Sequence, residues 1–329
     1  MRSHIVINID NHFVPQAAAF AASVLQNGRL TKPPVFHVLG NGLTPGNAAG
    51  LSDFISEQGG TVLVHDLGNF REMLFSVLGK DADTGKFPVT VLARIFAADV
   101  LSGDIERFLY LDADMTVRGS LEELYQTDLC GKVIACCAEP SIYEGMEIAQ
   151  GNGSSAYFNT GLMLVDRKAW IKGQFTEKCL RWFAEHNGTF DFADQDIINH
   201  ALAGQILPLD QKYDFFSNYS YQSYRSLTRR SPWYGKIMTK ESYEAAAKDP
   251  VIVHYAGDER PWYRGNRNPY REEYRKYLSL TPWKGEPEIP GHERYMRFYH
   301  AVNVLSGKIP GFRTLASEIY RKTKKRKKN

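Results

Sequence analysis

Short apolar, β-branched runs recur along the first third of the chain, with helical segments between them. HIVINI (4–9), VFHVLG (35–40), TVLVHDL (61–67) and RFLYL (107–111) read as buried strands. Residues 15–27, PQAAAFAASVLQN, open on proline, run through alanines and stop before Gly28, which reads as a helix. Residues 45–57 suggest a second helix, and 88–101, PVTVLARIFAADVL, a third despite its β-branched start. Strands that alternate with helices predict an α/β fold, a mostly parallel sheet covered on both faces. Ligands of such sheets bind beyond the carboxyl ends of the strands. Asp10 ends the first strand and Asp112 and Asp114 end the fourth, so two strand ends are expected to present carboxylates to one crevice.

Further on, VIACCAE (133–139), FNTGLMLVD (158–166) and VIVHYAG (251–257) read as strands, and 167–186 and 195–203 as helices. A Gly- and Ser-rich loop, EGMEIAQGNGSSA, separates the first two of these strands. From about residue 265 Arg, Tyr and Pro become dense. The organisation expected is a catalytic domain over 1–265 and an appendage over 266–329.

The four cysteines form no CxxC pair or metal-ligand spacing, and Cys136 and Cys137 are adjacent, so reduced thiols in a cytoplasmic setting are expected. The N-terminal apolar run is too short for a signal-peptide core, and no apolar stretch of about 18 residues occurs. The net charge of +3 is uneven: the last nine residues, RKTKKRKKN, hold seven Lys or Arg and no acid, over a mildly acidic body. Such a tail is either a solvated terminus or a contact with anionic lipid, and the aromatic and aliphatic residues of YMRFYHAVNVLSGKIPGFRTLASEIY before it favour a membrane surface. No basic stripe elsewhere suggests a nucleic-acid partner.

Two carboxylates one residue apart at the end of an apolar strand can hold a divalent cation together, Mg²⁺ or Mn²⁺ with substrate phosphates. The bland alternative is a capped turn. DADMT also fits the D-x-D-x-T motif of haloacid-dehalogenase phosphatases, with Asp112 as nucleophile and Asp114 as general acid. That motif normally opens its domain, whereas here several β–α steps precede it, and GDE (257–259) is misplaced as the later acidic pair.

LARIFAADVL, RFLYLDADMTVRGSLEELYQTDL, FNTGLMLVD, ADQDIINHAL and VHYAGDERPW occur in that order. Together with the Asp10-bearing first strand they make the chain, over roughly residues 4–285, resemble glycosyltransferase family 8, retaining hexosyltransferases that include lipooligosaccharide galactosyltransferases. The resemblance implies a single nucleotide-sugar-binding domain of GT-A type, related to the Rossmann fold, with a mostly parallel mixed sheet. It implies a UDP-galactose or UDP-glucose donor and a saccharide acceptor, such as a lipid-linked lipopolysaccharide core met at the cytoplasmic membrane face. It assigns Asp112, Asp114 and His254 to Mn²⁺ or Mg²⁺, with Ala113 between the carboxylates. Asn8, Asp10 and His12 fall where uracil and ribose are held. Arg94, Asn159, Thr160, Gly161, Asp194 and Gln195 fall around the donor sugar, with Arg94, Asp194 and Gln195 in catalytic positions. Gly257 and Arg260 meet the diphosphate, Arg260 standing where the family has lysine, and Glu139 falls near the acceptor. The aromatic and arginine-rich stretch 213–235 is expected either to stack on acceptor sugars or to be ordinary packing. A third reading, an inactive sugar-nucleotide-binding protein, is opposed by the complete set of these residues.

Overall fold

The computed structural model describes residues 2–85, 87–141, 156–187, 192–309 and 312. The basic tail 321–329 and residues 144–155 of the Gly- and Ser-rich loop lie outside these. The strands are β1 (His4–Asp10), β2 (Val35–Asn41), β3 (Thr61–Asp66), β4 (Arg107–Leu111), β5 (Met115–Val117), β6 (Ile134–Cys137), β7 (Leu162–Asp166), β8 (Ile206–Leu209), β9 (Phe215–Phe216) and β10 (Ile252–His254). The main sheet has the order β3-β2-β1-β4-β7-β6-β8. Only β7 runs against its neighbours; every other adjacent pair is parallel. The sheet is thus the mixed, mostly parallel one expected.

The period-two alternation of β1 divides the interior. Ile5, Ile7 and Ile9 face a core shared with the helices Val14–Asn27 and Pro45–Glu57, while Val6 faces a second core with Leu39, Phe108 and Ile197. Each fully buried Ile, Val, Leu or Phe contributes roughly 1.5–3 kcal/mol. The alanines of Val14–Asn27 let that helix lie close to the sheet. Ser23 Oγ accepts from Val117 N at 2.9 Å, and Asn27 Nδ2 donates to Val117 O at 2.7 Å. The helix thereby holds β5, and with it the turn Asp112–Asp114 between β4 and β5.

Two elements differ from the sequence reading, and a third, a strand as expected, takes an unforeseen place. Residues 89–96 form a 3-10 helix, and only Ala97–Val100 is α-helical. The β-branched Val89, Thr90 and Val91 disfavour the α form, and the Thr90 carbonyl instead accepts from Asn8 Nδ2 at 2.7 Å. Residues 167–186 are two helices, broken at Gly173, where a Cβ would lie 2.3 Å from the Phe175 ring. VIVHYAG contributes β10 to a separate three-stranded sheet, β5-β10-β9. Beyond residue 265 the chain stays attached to the body, since Tyr274 and Tyr277 belong to the same core as Val14–Asn27. Among the described residues no helix is long and apolar enough to cross a membrane.

Three histidines form a ladder across the sheet edge. His4 Nδ1 and His37 Nε2 are 3.0 Å apart, as are His37 Nδ1 and His65 Nε2. Neutral rings satisfy both bonds with every N–H pointing the same way. Burial, reinforced by the neighbouring histidines, lowers the His37 pKa to about 4. Burial also lowers His4, against Asp104 and with Arg2, and it lowers His65. Because the folded pKa values lie below the unfolded ones, the ladder's contribution is fully present above about pH 6.5 and is lost as pH falls towards the folded values. The urea midpoint of the wild type should therefore drop more steeply between about pH 6.5 and about 4.5 than that of His37→Leu; equal slopes would show that the ladder does not titrate with unfolding.

Candidate active site

A cavity of about 630 Å³ opens over the carboxyl ends of β1 and β4, within the usual size range of ligand pockets. It lies where the strand order reverses, β1 having β2 on one side and β4 on the other. β4 delivers Asp112 and Asp114 to it, and β10 delivers His254. Their ligand atoms lie within 4.8 Å of one another. Backbone bonds fix both carboxylates: Asp112 N donates to Gly161 O at 2.7 Å, and Tyr255 N donates to Asp114 O at 2.9 Å. Ala113 is buried between them.

Each carboxylate has its own cationic partner. Arg94 Nη2 pairs with Asp112 at 2.9 Å, and its Nε lies 3.0 Å from Asp194. Its Nη1 donates to Thr160 O at 2.9 Å, and its guanidinium lies 4.9 Å above the Tyr110 ring. Asp114 faces His254 Nε2 at 3.1 Å and Arg260 Nη1 at 3.2 Å. Burial pushes Asp112 up to about 6 against the pull of Arg94. Burial also opposes ionisation of Asp114, but His254 and Arg260 overcome it and hold that carboxyl well below its usual range. His254 is raised, despite burial, by Asp114 and by Asp214, whose Oδ1 is 2.9 Å from Nδ1. Asp214 thus orients the imidazole as a carboxylate orients a metal-ligating histidine.

The donor set fits a hard divalent cation: two carboxylates and an imidazole whose far nitrogen is already engaged. Charge points the same way, since Asp112, Asp114, Asp194 and Asp214 are all buried or nearly so, with Arg94, Arg260 and His254 as their partners. Gly161 leaves room for this cluster. A Cβ there would fall 2.7 Å from both Asp112 Oδ2 and His254 Cε1.

The remaining sequence candidates fall into place around this centre. Asn159 Nδ2 donates to Gln195 Oε1 at 2.8 Å and to Glu139 Oε2 at 3.3 Å, and all three line the cavity. Glu139 also accepts from Tyr219 at 3.0 Å and from Ser141; burial raises its pKa against these bonds. Thr160 is fully buried and supports Arg94 and Asp194 rather than lining the cavity. Asp194 opens the helix Asp194–Ala201 without capping it, its cap position being Ala193 at φ 42°, a strained value for a residue with a Cβ. Asn8 lines the cavity, but its amide bonds Asn41 at 2.6 Å and Thr90 at 2.7 Å. Asp10 faces the cavity while its Oδ1 caps the turn 11–13. His12 is exposed, and its side chain is not part of the cavity wall. Gly257, at φ +95°, and Arg260 form part of the wall. Most aromatics of 213–235 are buried in a third core, so that stretch is mainly packing, although Phe216 and Asn218 reach the cavity.

Two functional neighbours were not foreseen. Tyr110, whose hydroxyl donates to Asp112 at 3.1 Å, stands two residues before it on the same strand face, a signal that was available. Asp214 had no such signal, because it lies far from His254 in sequence and meets it through the pairing of β9 with β10.

Comparisons with known proteins bear on the fold and the family. The model of the family "Glycosyl transferase family 8" matches residues 4–265. General stress protein A of Bacillus subtilis (strain 168) is 26% identical over 292 residues, which cover 87% of this chain and 97% of that protein. A lipopolysaccharide 1,2-glucosyltransferase of Escherichia coli (strain K12) is 27% identical over 239 residues, covering 70% of this chain and 67% of that one. The crystal structure of galactosyltransferase LgtC, solved with donor and acceptor sugar analogues, superposes with a TM-score of 0.71 at 22% identity, over 86% of this chain and 99% of that one. The fold is shared, and the match over residues 4–265 shows that the chain is a glycosyltransferase that belongs to glycosyl transferase family 8.

Proposed function

We propose that the chain is a retaining, divalent-metal-dependent hexosyltransferase that takes galactose or glucose from a UDP-sugar. The observation that carries this reading is the Asp112–Asp114–His254 cluster, set in a cavity whose wall also presents Arg94 and Arg260. Bound there, Mn²⁺ or Mg²⁺ would supply Lewis-acid stabilisation of the diphosphate leaving group, worth several kcal/mol. Arg260, about one-third exposed and beside Asp114, would meet the diphosphate with paired N–H donors. Asp10 and the half-spent amide of Asn8 would hold uracil and ribose, with His12 at the rim.

Asn159 orients Gln195, and Arg94 holds Asp194. Neither side chain offers the sugar a free carboxylate: Gln195 is an amide, and Asp194 is ion-paired. This supports a front-face route, in which the leaving phosphate accepts the proton of the incoming hydroxyl, over a double displacement. Glu139, across Asn159 from Gln195, would receive acceptor hydroxyls. The phosphatase alternative is not favoured, because it needs Asp112 free to attack, whereas Asp112 is paired with Arg94 and bonded to Tyr110.

For the acceptor we propose a cell-surface saccharide such as a lipid-linked lipopolysaccharide core, reached at the cytoplasmic membrane face. The names of the relatives support this, and so does the helix Glu293–Lys308. Tyr295, Phe298 and Leu305 are exposed along one side of it and Ile309 just past its end, with Arg294, Arg297 and Lys308 also exposed. Such a pattern suits an anionic membrane surface, and the basic tail would add to the attraction.

UDP release from a panel of UDP-sugars should require Mn²⁺, favour one hexose, vanish with chelator and be lost in Asp114→Ala. Hydrolysis of a generic phosphomonoester without UDP-sugar binding would instead sink the reading. Gly161→Ala should weaken Mn²⁺ binding, read by titration calorimetry, by about tenfold or more, because its methyl group enters the ligand cluster. Unchanged Mn²⁺ affinity in that variant would show that the ion binds elsewhere.

A further inference from the structure

The helix Glu293–Lys308 lies beyond the stretch matched by the family, yet it walls the cavity. Tyr299 lines that wall next to Gly257, Asp258 and Arg260. It stands so near that a Cβ on Gly257 would lie 3.1 Å from its hydroxyl.

The helix is also bolted to the loop Gly257–Arg260. Tyr295 donates its hydroxyl to Asp258. Glu259, only 5% exposed, turns away from the cavity. Its carboxylate accepts from Asn303 Nδ2 at 3.1 Å, from Arg267 N at 2.9 Å and from His300 Nδ1 at 3.0 Å. Its carbonyl accepts from Asn268 Nδ2 at 2.6 Å, and that same amide reaches Ser217 Oγ at 2.9 Å. The next residue, Arg260, points the other way, to Asp114, with its Nε donating to Gly257 O at 3.0 Å.

Burying a carboxylate is costly, and apolar contacts would hold a helix in place at lower cost. Directional bonds do something apolar contacts cannot, which is to fix the orientation of the group that makes them. Here that group is one peptide bond from the arginine that faces the ligand cluster.

We propose that Glu259 is a positioning residue. By fastening the loop Gly257–Arg260 to the C-terminal helix, it sets the reach of Arg260 into the cavity, and the helix is a working part of the active site. The role of Arg260 toward a donor diphosphate rests on the function proposed above.

The test uses the full chain with Glu259→Leu, Glu259→Gln, Asn303→Leu and Arg260→Ala. Two readouts are taken: UDP affinity with Mn²⁺ by calorimetry, and backbone hydrogen exchange of residues 257–260 without nucleotide. Glu259→Leu should weaken UDP binding about tenfold, in the range for residues sharing one network, and raise the donor KM more than it lowers kcat. Exchange in the loop should quicken while β1 and β4 stay protected. Glu259→Gln should recover most of the affinity. In the Arg260→Ala background, Glu259→Leu should have almost no further effect on UDP. Asn303→Leu, which removes one partner from the helix side, should reproduce the loss if Glu259→Leu fails to fold. Unchanged affinity and exchange would overturn the proposal. So would an equal loss with and without Arg260, since that marks a purely structural role. A wild type that binds no UDP, yet whose loop exchange still quickens on Glu259→Leu, would overturn the donor reading and leave the strap standing.

Discussion

Two carboxylates held close together in a largely buried site repel, and the arrangement around the cavity answers that repulsion. At the separation of Asp112 and Asp114 two full charges cost roughly 3–4 kcal/mol at an effective dielectric of 20. Arg94 meets one and His254 with Arg260 meets the other. Burial drives the Asp112 pKa up, while Asp114 is held low by its two cations, so the pair divides its protonation unevenly. The cations need support in turn. Arg94 is seated between Asp194, the Thr160 carbonyl and the Tyr110 ring, and His254 leans on Asp214. Each of these comes from a different segment, so the site can exist only once the whole sheet has formed.

The reversed strand β7 is central to this. It pairs antiparallel with β4, bringing Gly161 O against Asp112 N and placing Asn159 and Thr160 at the same end of the sheet as the two aspartates. A parallel strand here would present its carboxyl end instead. The short β5, held by Ser23 and Asn27, sends the chain back so that β10 can lie alongside it and set His254 opposite Met115. The small sheet acts as a lever that carries a histidine from late in the sequence to a turn formed early.

Packed on the first core and on the cavity rim, the C-terminal segment does more than close the fold. Tyr274 and Tyr277 fill the interface with the first helix, while Glu293–Lys308 presents one side to Glu259 and another, with exposed apolar residues, to the surroundings. The ligand-facing loop is therefore mechanically joined to a helix that also exposes apolar residues.

Much was legible in the residues themselves. Strand and helix alternation, the carboxylates at strand ends and the ordered motifs pointed to an α/β sheet with an acidic crevice, because periodicity and β-branching act within a few residues. Asp112, Asp114 and His254 were assigned by motif, and Tyr110 could have been found by counting two residues back. What local pattern does not contain is which distant segments become neighbours. The pairing of Asp214 with His254, the burial of Thr160 behind the wall, the spending of the Asn8 amide on Asn41 and Thr90, and the exposure of His12 each depend on sheet order and packing. The 3-10 form of 89–96 is in part a tertiary outcome, in which a β-branched propensity against the α form, worth tenths of a kcal/mol per residue, is joined by one part-buried hydrogen bond worth about 1 kcal/mol. The sequence by itself determined most element types and the chemical identity of the ligand-bearing groups. The tertiary structure decided which of those groups meet, because that depends on long-range strand pairing that no local spacing records.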